Sequence, residues 1–296
     1  MTATDGVFAV IVAHGDLERA GRCASSLGLP ADRVIVVANV APSAVSAPWR
    51  VMSPAGPQGY GANLNLGVAQ APPGTRWLIL LNDDVVFEPL TLEGLLAAGQ
   101  ADPHLGAITP ALYGEDRRPQ AVAFRHPTVR SELAGTLGGP DILRRALRRG
   151  HSVLPSGAGV SYEDWVLGAA VLVRFSAFAD VGGVDERYFM YSEDTQFGLD
   201  LRRAGWRSGV LHDEWALHIG ATSTSEARWD ELLAASRRRY LRHNLSRPRF
   251  AALCLLWPVA QAWNMAYLAA MWFPSPSARR ARLAHLRAQW RWPPWR

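Results

Sequence analysis

Three short stretches of this sequence carry acids and a histidine where chemistry is possible. Asn82-Asp83-Asp84 sets two carboxylates directly after the apolar run from Trp77 to Leu81. Carboxylates so placed can hold a hard cation through oxygen, and Mg²⁺ or Mn²⁺ bound this way shares its shell with substrate phosphates. A turn cap would use the same dipeptide, because aspartate is common in turns. The second stretch, Gly183 to Phe197, contains Glu193 and Asp194 at the start of a helical pattern. The helix macrodipole keeps a carboxylate there ionised, able to accept a proton from a hydroxyl; plain capping is the alternative. The third is His218, which closes LHDEWALH and reads either as a ligand or as a satisfied core histidine. His212 and Asp213 in the same run read as loop surface.

These residues need elements to aim them. Residues 7–13 (VFAVIVA) form a continuous apolar, β-branched run, followed by helical spacing from Asp16 to Leu27 and a second such run over 33–40. Runs of this kind suit parallel strands buried on both faces. Residues 41–57 read as a loop, GYGANLNLGVAQA as a helix entered through glycines, and 76–81 as a third buried strand. Polar groups at its carboxyl end would face the ligand crevice of an open α/β sheet. Residues 114–160 read as a long mobile insertion with a short basic helix near 141–149. The pattern then predicts a strand over 165–174, a helix over 191–203 and a strand over 207–218.

Composition removes several classes. The 296 residues are 49% apolar and 19% charged, which suits one large domain plus an appendage and excludes a disordered tail, a disulfide-stapled module or a polytopic membrane protein. Cys23 and Cys254 stand far apart with no CxxC, arguing against zinc and disulfides and for a reducing compartment. All 31 basic residues are arginine, so the lysine of a Schiff base or a P-loop is missing. Gly59-Tyr-Gly61 hints at a dinucleotide fingerprint but reaches Leu64 where a third glycine belongs, and it does not follow the first strand. The amino end carries an acid and no basic lead, so it reads as a strand and not a signal peptide.

Taken in order, VFAVIVAHGD, GYGANLNLG, LLNDDV, WVLGAAVLVR and GGVDERYFMYSEDTQFGLDLRRAGWR followed by a histidine resemble family 2 glycosyltransferases over about residues 7–245. The likeness is strongest to the rhamnosyltransferase-like branch that extends lipid-linked glycans. The resemblance implies a GT-A fold, an α/β mixed sheet flanked by helices. It implies Mg²⁺ or Mn²⁺ held by Asp84 with Asp83 and His218, and Asp194, beside Glu193, as general base. Ala13, His14, Asn39, Gly59 and Asn63 fall on the nucleotide side, with Trp165 and Gly168 on the acceptor-side wall. A dTDP- or UDP-sugar is the implied donor, dTDP-rhamnose ahead of a UDP-hexose or UDP-galactofuranose, and a lipid-linked glycan the acceptor. One base without an enzyme nucleophile implies inversion at the anomeric carbon. Two departures stand out: Ala38-Asn39-Val40 replaces the usual Asp-Asn after the second strand, and Gln196 replaces an acid two positions after Asp194. A membrane scaffold that kept the fold but lost turnover is the rival reading.

The carboxyl end differs in kind. From residue 232 onward there are 12 arginines and no acid, whereas the preceding chain carries a net −7. That split points to a polyanionic partner. Without a nucleic-acid recognition motif, an anionic membrane surface is expected rather than nucleic acid, at the cytoplasmic face. The boundary is read as 1–225 for the transferase domain and 226–296 for a basic, apolar helical membrane-association module. The uncharged stretch 250–273 is expected as two short helices dipping into the leaflet. A single span is the alternative, but it would send the arginines of the tail to the outer side; a buried core helix is the third reading. Residues 277–292 read as a helix with a Leu/Trp stripe flanked by arginine.

Overall fold

The structure, a computed structural model, describes residues 4–39, 47–136, 152–154, 157–220 and 226–270; the segments expected as a basic helix near 141–149 and a Leu/Trp helix over 277–292 lie outside them. The apolar runs become strands β1 (Val7–Ala13) and β2 (Val34–Ala38), both wholly buried, joined through helix α1 (Leu17–Ser26). Asp16 caps α1 by accepting the Arg19 amide. A short strand β3 (Arg50–Met52) lies inside the stretch expected as loop, ahead of α2 (Tyr60–Val68) and β4 (Trp77–Asn82). Next come β5 (Val85–Phe87), α3 (Thr91–Ala101) and β6 (Leu105–Tyr113).

The remaining elements are β7 (Ala123–Phe124), α4 (Val129–Thr136), β8 (Ser152–Val153), β9 (Val160–Glu163), β10 (Trp165–Val166), β11 (Ala170–Arg174), α5 (Phe175–Asp180), α6 (Glu193–Arg203) and β12 (Arg207–His218). Two long helices, α7 (Glu226–Asn244) and α8 (Arg247–Ala270), follow. The single strand expected over 165–174 is two: β10 joins a small sheet with β7 and β8, and β11 joins the main one. Gly168 lies in the break between them.

The main sheet runs β3-β2-β1-β4-β11-β6-β12-β5, with β9 on β12. Strands β1 to β4 are parallel, β11 is antiparallel to both β4 and β6, and β12 runs parallel to β6. This is the mixed α/β sheet expected. The strand order reverses between β1 and β4, and an open α/β sheet offers its crevice outside the carboxyl ends at such a switch point. Ala13, His14, Asp83 and Asp84 sit there because those strands end there.

Strand β12 carries an irregularity that matters. Pro110 in β6 lacks the N–H needed by a ladder, and the register of β12 jumps from Leu211 opposite Pro110 to Trp215 opposite Ala111. His212 and Asp213 therefore lie in a strand, on its bulge, and not in a loop. His212 meets the Ser161 hydroxyl at 2.9 Å, and Asp213 accepts the Gly159 amide at 2.7 Å. Beyond the bulge β12 pairs with β5, which sets His218 opposite Val85 and beside Asp84.

The chain divides into two compact units, one of residues 1–125 and 152–223, the other of 126–151 and 224–296. Of the described residues, 126–136 fall in the second unit together with 226–270. In that unit Arg237 of α7 donates to both oxygens of Glu132 of α4, at 2.8 and 2.6 Å. Residues 247–270 form one helix, not the two short ones expected. Pro258 lies inside it, deleting one hydrogen bond without ending the helix. No helix among the described residues is long and apolar enough to cross a membrane.

Candidate active site

Helix α2 is the bracket of the site. Asn65 bonds the Val184 backbone in both directions, at 2.8 and 2.9 Å, and the Tyr60 amide donates to Phe189 O at 2.8 Å. The glycines of the segment allow this contact: a Cβ on Gly59 would stand 2.7 Å from Phe189 O and 2.9 Å from Tyr188 O, and one on Gly61 2.7 Å from Val184. Gly59→Ala is therefore expected to displace the backbone that leads into Asp194. Overpacking of this sort costs about 1–3 kcal/mol. A lowered melting temperature together with reduced turnover would show it, and Gly56→Ala, whose Cβ meets nothing within 4 Å, is the control.

The segment so held ends in Tyr191 and Ser192, both left-handed at φ 69° and 66°, and then enters α6. Gln196, where the resemblance would place an acid, is a buried strut. It accepts from the Tyr188 hydroxyl at 3.1 Å and donates to Asp200 at 2.9 Å. Its neutral amide can accept and donate at once, which a carboxylate cannot.

Glu193 and Asp194 differ in their surroundings. Glu193 is buried, and its Oε2 has no hydrogen-bond partner. Asp194 is only partly buried; its Oδ1 accepts from Thr195 N at 2.7 Å and its Oδ2 from Gly168 N at 3.4 Å. Both line a small apolar cavity with Tyr60, Val166, Gly168 and Phe197. Burial pushes both carboxyls above their usual range, Glu193 further because the Asp194 charge adds to its desolvation. Asp194, with two amide donors where Glu193 Oε2 has none, is the carboxyl better placed to carry the charge. Glu193, expected beside Asp194 as a catalytic acid, is turned away from solvent.

The metal-side residues lie at the same end of the sheet. Asn82 N donates to Ala169 O at 2.9 Å, so the Gly168-Ala169 backbone links the Asp194 carboxylate to the residue just before Asp83-Asp84. The Tyr60 hydroxyl donates to Gly168 O at 2.9 Å, and burial raises its pKa, with added repulsion from Glu193, Asp194 and Asp84. Tyr60 thus lies within electrostatic reach of Glu193, Asp194 and Asp84.

Asp83 and Asp84 have separate partners. Asp83 is clamped by Arg19 of α1, at 3.0 Å to each oxygen, and by the His14 amide at 3.4 Å. Burial lifts its pKa, and Arg19 opposes that lift. Asp84 is buried with an Oδ1 lacking any hydrogen bond, 3.5 Å from His218 Nε2. His218 Nδ1 lies 2.7 Å from Gln120 Oε1, and Gln120 Nε2 donates to His218 O at 3.0 Å. Because Oε1 only accepts, Nδ1 carries a proton, and in the neutral ring the Nε2 lone pair is the one turned to Asp84. An orphaned carboxylate oxygen beside a bare imidazole nitrogen, with the ring fixed from behind, fits a divalent ion. Among the described residues no three His, Cys, Asp or Glu groups converge as a metal cage, so ligands beyond this pair would come from diphosphate and water.

The other expected site residues have partners of their own. Asn39 spends its amide on Gln58, donating at 3.1 Å and accepting at 2.8 Å. Asn63 is fully buried behind the same residue, so both brace the loop before α2. His14 is exposed and Ala13 buried at the mouth of the crevice. Trp165 stacks on Phe124 with centroids 4.4 Å apart and lies against Gly198 of α6. Arg19, Tyr60 and Gln120 were not foreseen. Only Arg19 left a trace, as a basic residue in the first turn after β1.

Residues 77–289 match glycosyl transferase family group 2. The chain belongs to that family. It is 33% identical over 195 residues to the N-acetylglucosaminyl-diphospho-decaprenol L-rhamnosyltransferase of Mycobacterium tuberculosis, covering 62% of each chain. Over 55 residues, 19% of this chain and 21% of the relative, it is 49% identical to rhamnosyltransferase WbbL of Escherichia coli. The chain therefore spans less than two thirds of these relatives. Among solved structures it resembles GalNAc-T7 with UDP, GalNAc and Mn²⁺, at TM-score 0.56 and 13% identity over 80% of this chain and 47% of that one. It also resembles the mannosyltransferase PcManGT of Pyrobaculum calidifontis with GDP-Man and Mn²⁺, at TM-score 0.54 and 14% identity over 96% and 79%. These likenesses bear out the fold expected of a GT-A glycosyltransferase.

Proposed function

We propose that this chain is a metal-dependent, inverting glycosyltransferase that moves a sugar from a nucleotide diphosphate to a lipid-linked glycan or other cell-envelope precursor. Rhamnose is the favoured sugar, given the names of the sequence relatives, and a dTDP-sugar is the proposed donor. The observation that carries the reading is the backbone link through Gly168 and Ala169, which ties Asp194 to the end of β4 where Asp84 meets His218.

Asp194 accepts the proton of the acceptor hydroxyl as its oxygen attacks the anomeric carbon, and the bond from that carbon to the diphosphate breaks with both electrons leaving on oxygen. Gly168 N and Thr195 N hold the carboxylate in place. Glu193, kept protonated by burial, adds no competing charge. Asp84 and His218 would hold Mg²⁺ or Mn²⁺, which when bound stabilises the charge on the leaving diphosphate. A single displacement with one base inverts the anomeric centre.

Incubation of the full chain with Mn²⁺, a panel of dTDP- and UDP-sugars and a prenyl-diphosphate N-acetylglucosamine acceptor tests the reading. Transfer from dTDP-rhamnose, abolished by chelation and inverted by NMR, is the expected result. Retention of configuration would defeat the single displacement, and absence of transfer from every donor would favour the scaffold.

Gln120 supplies a further test. Gln120→Leu removes the acceptor that fixes His218, and loss of such an orienting partner typically costs about 10–100-fold in metal affinity. Gln120→Glu keeps the acceptor for Nδ1 but loses the donation to His218 O, and is expected to bind more weakly than wild type yet more tightly than Gln120→Leu. Mn²⁺ titration followed by EPR in the presence of nucleoside diphosphate reads the difference without requiring turnover.

A further inference from the structure

The outer face of α8 is apolar from Ala251 to Ala266. Leu255 is 74% exposed, Val259 63%, Trp263 55%, Met265 49% and Leu256 45%. Leu253, Trp257, Ala260 and Gln261 on the opposite side are buried. At about 3.6 residues per turn the exposed set is one stripe centred on Leu255, Val259 and Ala262, roughly 22 Å long from Ala251 to Ala266. Solvation of such a stripe is costly, and contiguous apolar patches of this kind mark interaction sites.

Charge identifies the occupant. Arg247 and Arg249 begin the same helix, both are exposed, and on the helical wheel they fall on opposite flanks of the stripe. Arg239 and Arg242 in the closing turns of α7 are exposed too, and no acid follows residue 231 anywhere in the sequence. A protein partner of ordinary composition would not require so one-sided a charge. An anionic bilayer does: its acyl region takes the stripe, its headgroups take the arginines, and a tryptophan is at home at the boundary. Because the far side of α8 is buried in its own unit, lipid cannot surround the helix, which must lie in the membrane plane.

We propose that α8 is an in-plane docking helix for anionic lipid surfaces, a property independent of the sugar-transfer reading. Flotation of the full chain tests it, with vesicles of phosphatidylcholine alone or mixed with phosphatidylglycerol. The wild-type chain is expected to float with the anionic vesicles only. Arg247→Gln with Arg249→Gln should weaken that partition about thirty-fold, from about 1 kcal/mol per arginine near the surface. Leu255→Glu with Val259→Glu and Trp263→Glu should abolish it while far-UV CD and nucleotide-induced thermal shift persist. If the triple variant misfolds, Leu255→Glu alone, at the most exposed of these sites, must still weaken flotation. Unchanged flotation of a folded variant would overturn the proposal, as would failure of the wild type to bind anionic vesicles. A solution dimer that the same substitutions split would also overturn it, by assigning the stripe to a second copy.

Discussion

Asp194→Asn is expected to lower kcat for sugar transfer by about 10²–10⁴-fold, the usual worth of a positioned general base, while leaving nucleotide-sugar affinity intact. The amide keeps the shape of the carboxylate but cannot take the acceptor proton, and it can accept from only one of Thr195 N and Gly168 N, where Asp194 accepts from both. The pH profile gives a second readout. Burial raises the Asp194 pKa, and the base works only when ionised, so activity must fall as pH drops through that raised value. The acid limb of kcat/KM is therefore expected above the ordinary aspartate value of about 3.9. Glu193→Gln should act differently. The folded-state pKa of Glu193 lies above its unfolded value, so the native state is penalised once pH rises past the unfolded pKa. Removing the carboxyl should then improve stability toward alkaline pH and cost far less turnover. Wild-type kcat in Asp194→Asn would remove the base.

Asp84→Asn should cost transfer about 10³-fold, corresponding to several kcal/mol of transition-state stabilisation from a bound cation, and should weaken Mn²⁺ binding measured by EPR in the presence of nucleoside diphosphate. Asp84 is the acid whose buried oxygen has no hydrogen bond and faces His218. Asp83→Asn should separate from it. Asp83 is already committed to Arg19 and the His14 amide, so its loss leaves a partly buried guanidinium underpaired and should appear first as a lowered melting temperature. Equal Mn²⁺ affinity in wild type and Asp84→Asn would dismiss the metal role.

Much of the fold was legible because its strands are monotonous. VFAVIVA and WLILL have no polar interruption, so burial on both faces was the simplest reading, and the structure buries β1 completely. Strand β6 defeated that logic. Its sequence LGAITPALY holds a glycine and a proline, yet it lies between β11 and β12 near the centre of the sheet. The proline is accommodated by a bulge in its neighbour, which no local pattern could announce. The acidic residues of the site could be found because Asp83-Asp84 and Glu193-Asp194 sit at element ends, where chemistry is accessible. Their partners could not. Gln120 reaches His218 across 98 positions, and Arg19 reaches Asp83 across 64; such pairings are made by topology. Asn39 likewise holds a partner that its strand-end position did not announce, the backbone of Gln58.

Tyr191 and Ser192, consecutive left-handed residues immediately before Glu193, carry a consequence for attempts to harden this protein against heat. Non-glycine residues in that region cost of order 1–3 kcal/mol each, so glycine at Ser192, which gives up the smaller side chain, should lift the thermal midpoint. The same change gives the approach to Asp194 more conformations to explore. A selection for heat resistance alone would drift toward glycine here and yield sturdier, slower enzymes, whereas a selection that also demands turnover would keep the tyrosine-serine pair.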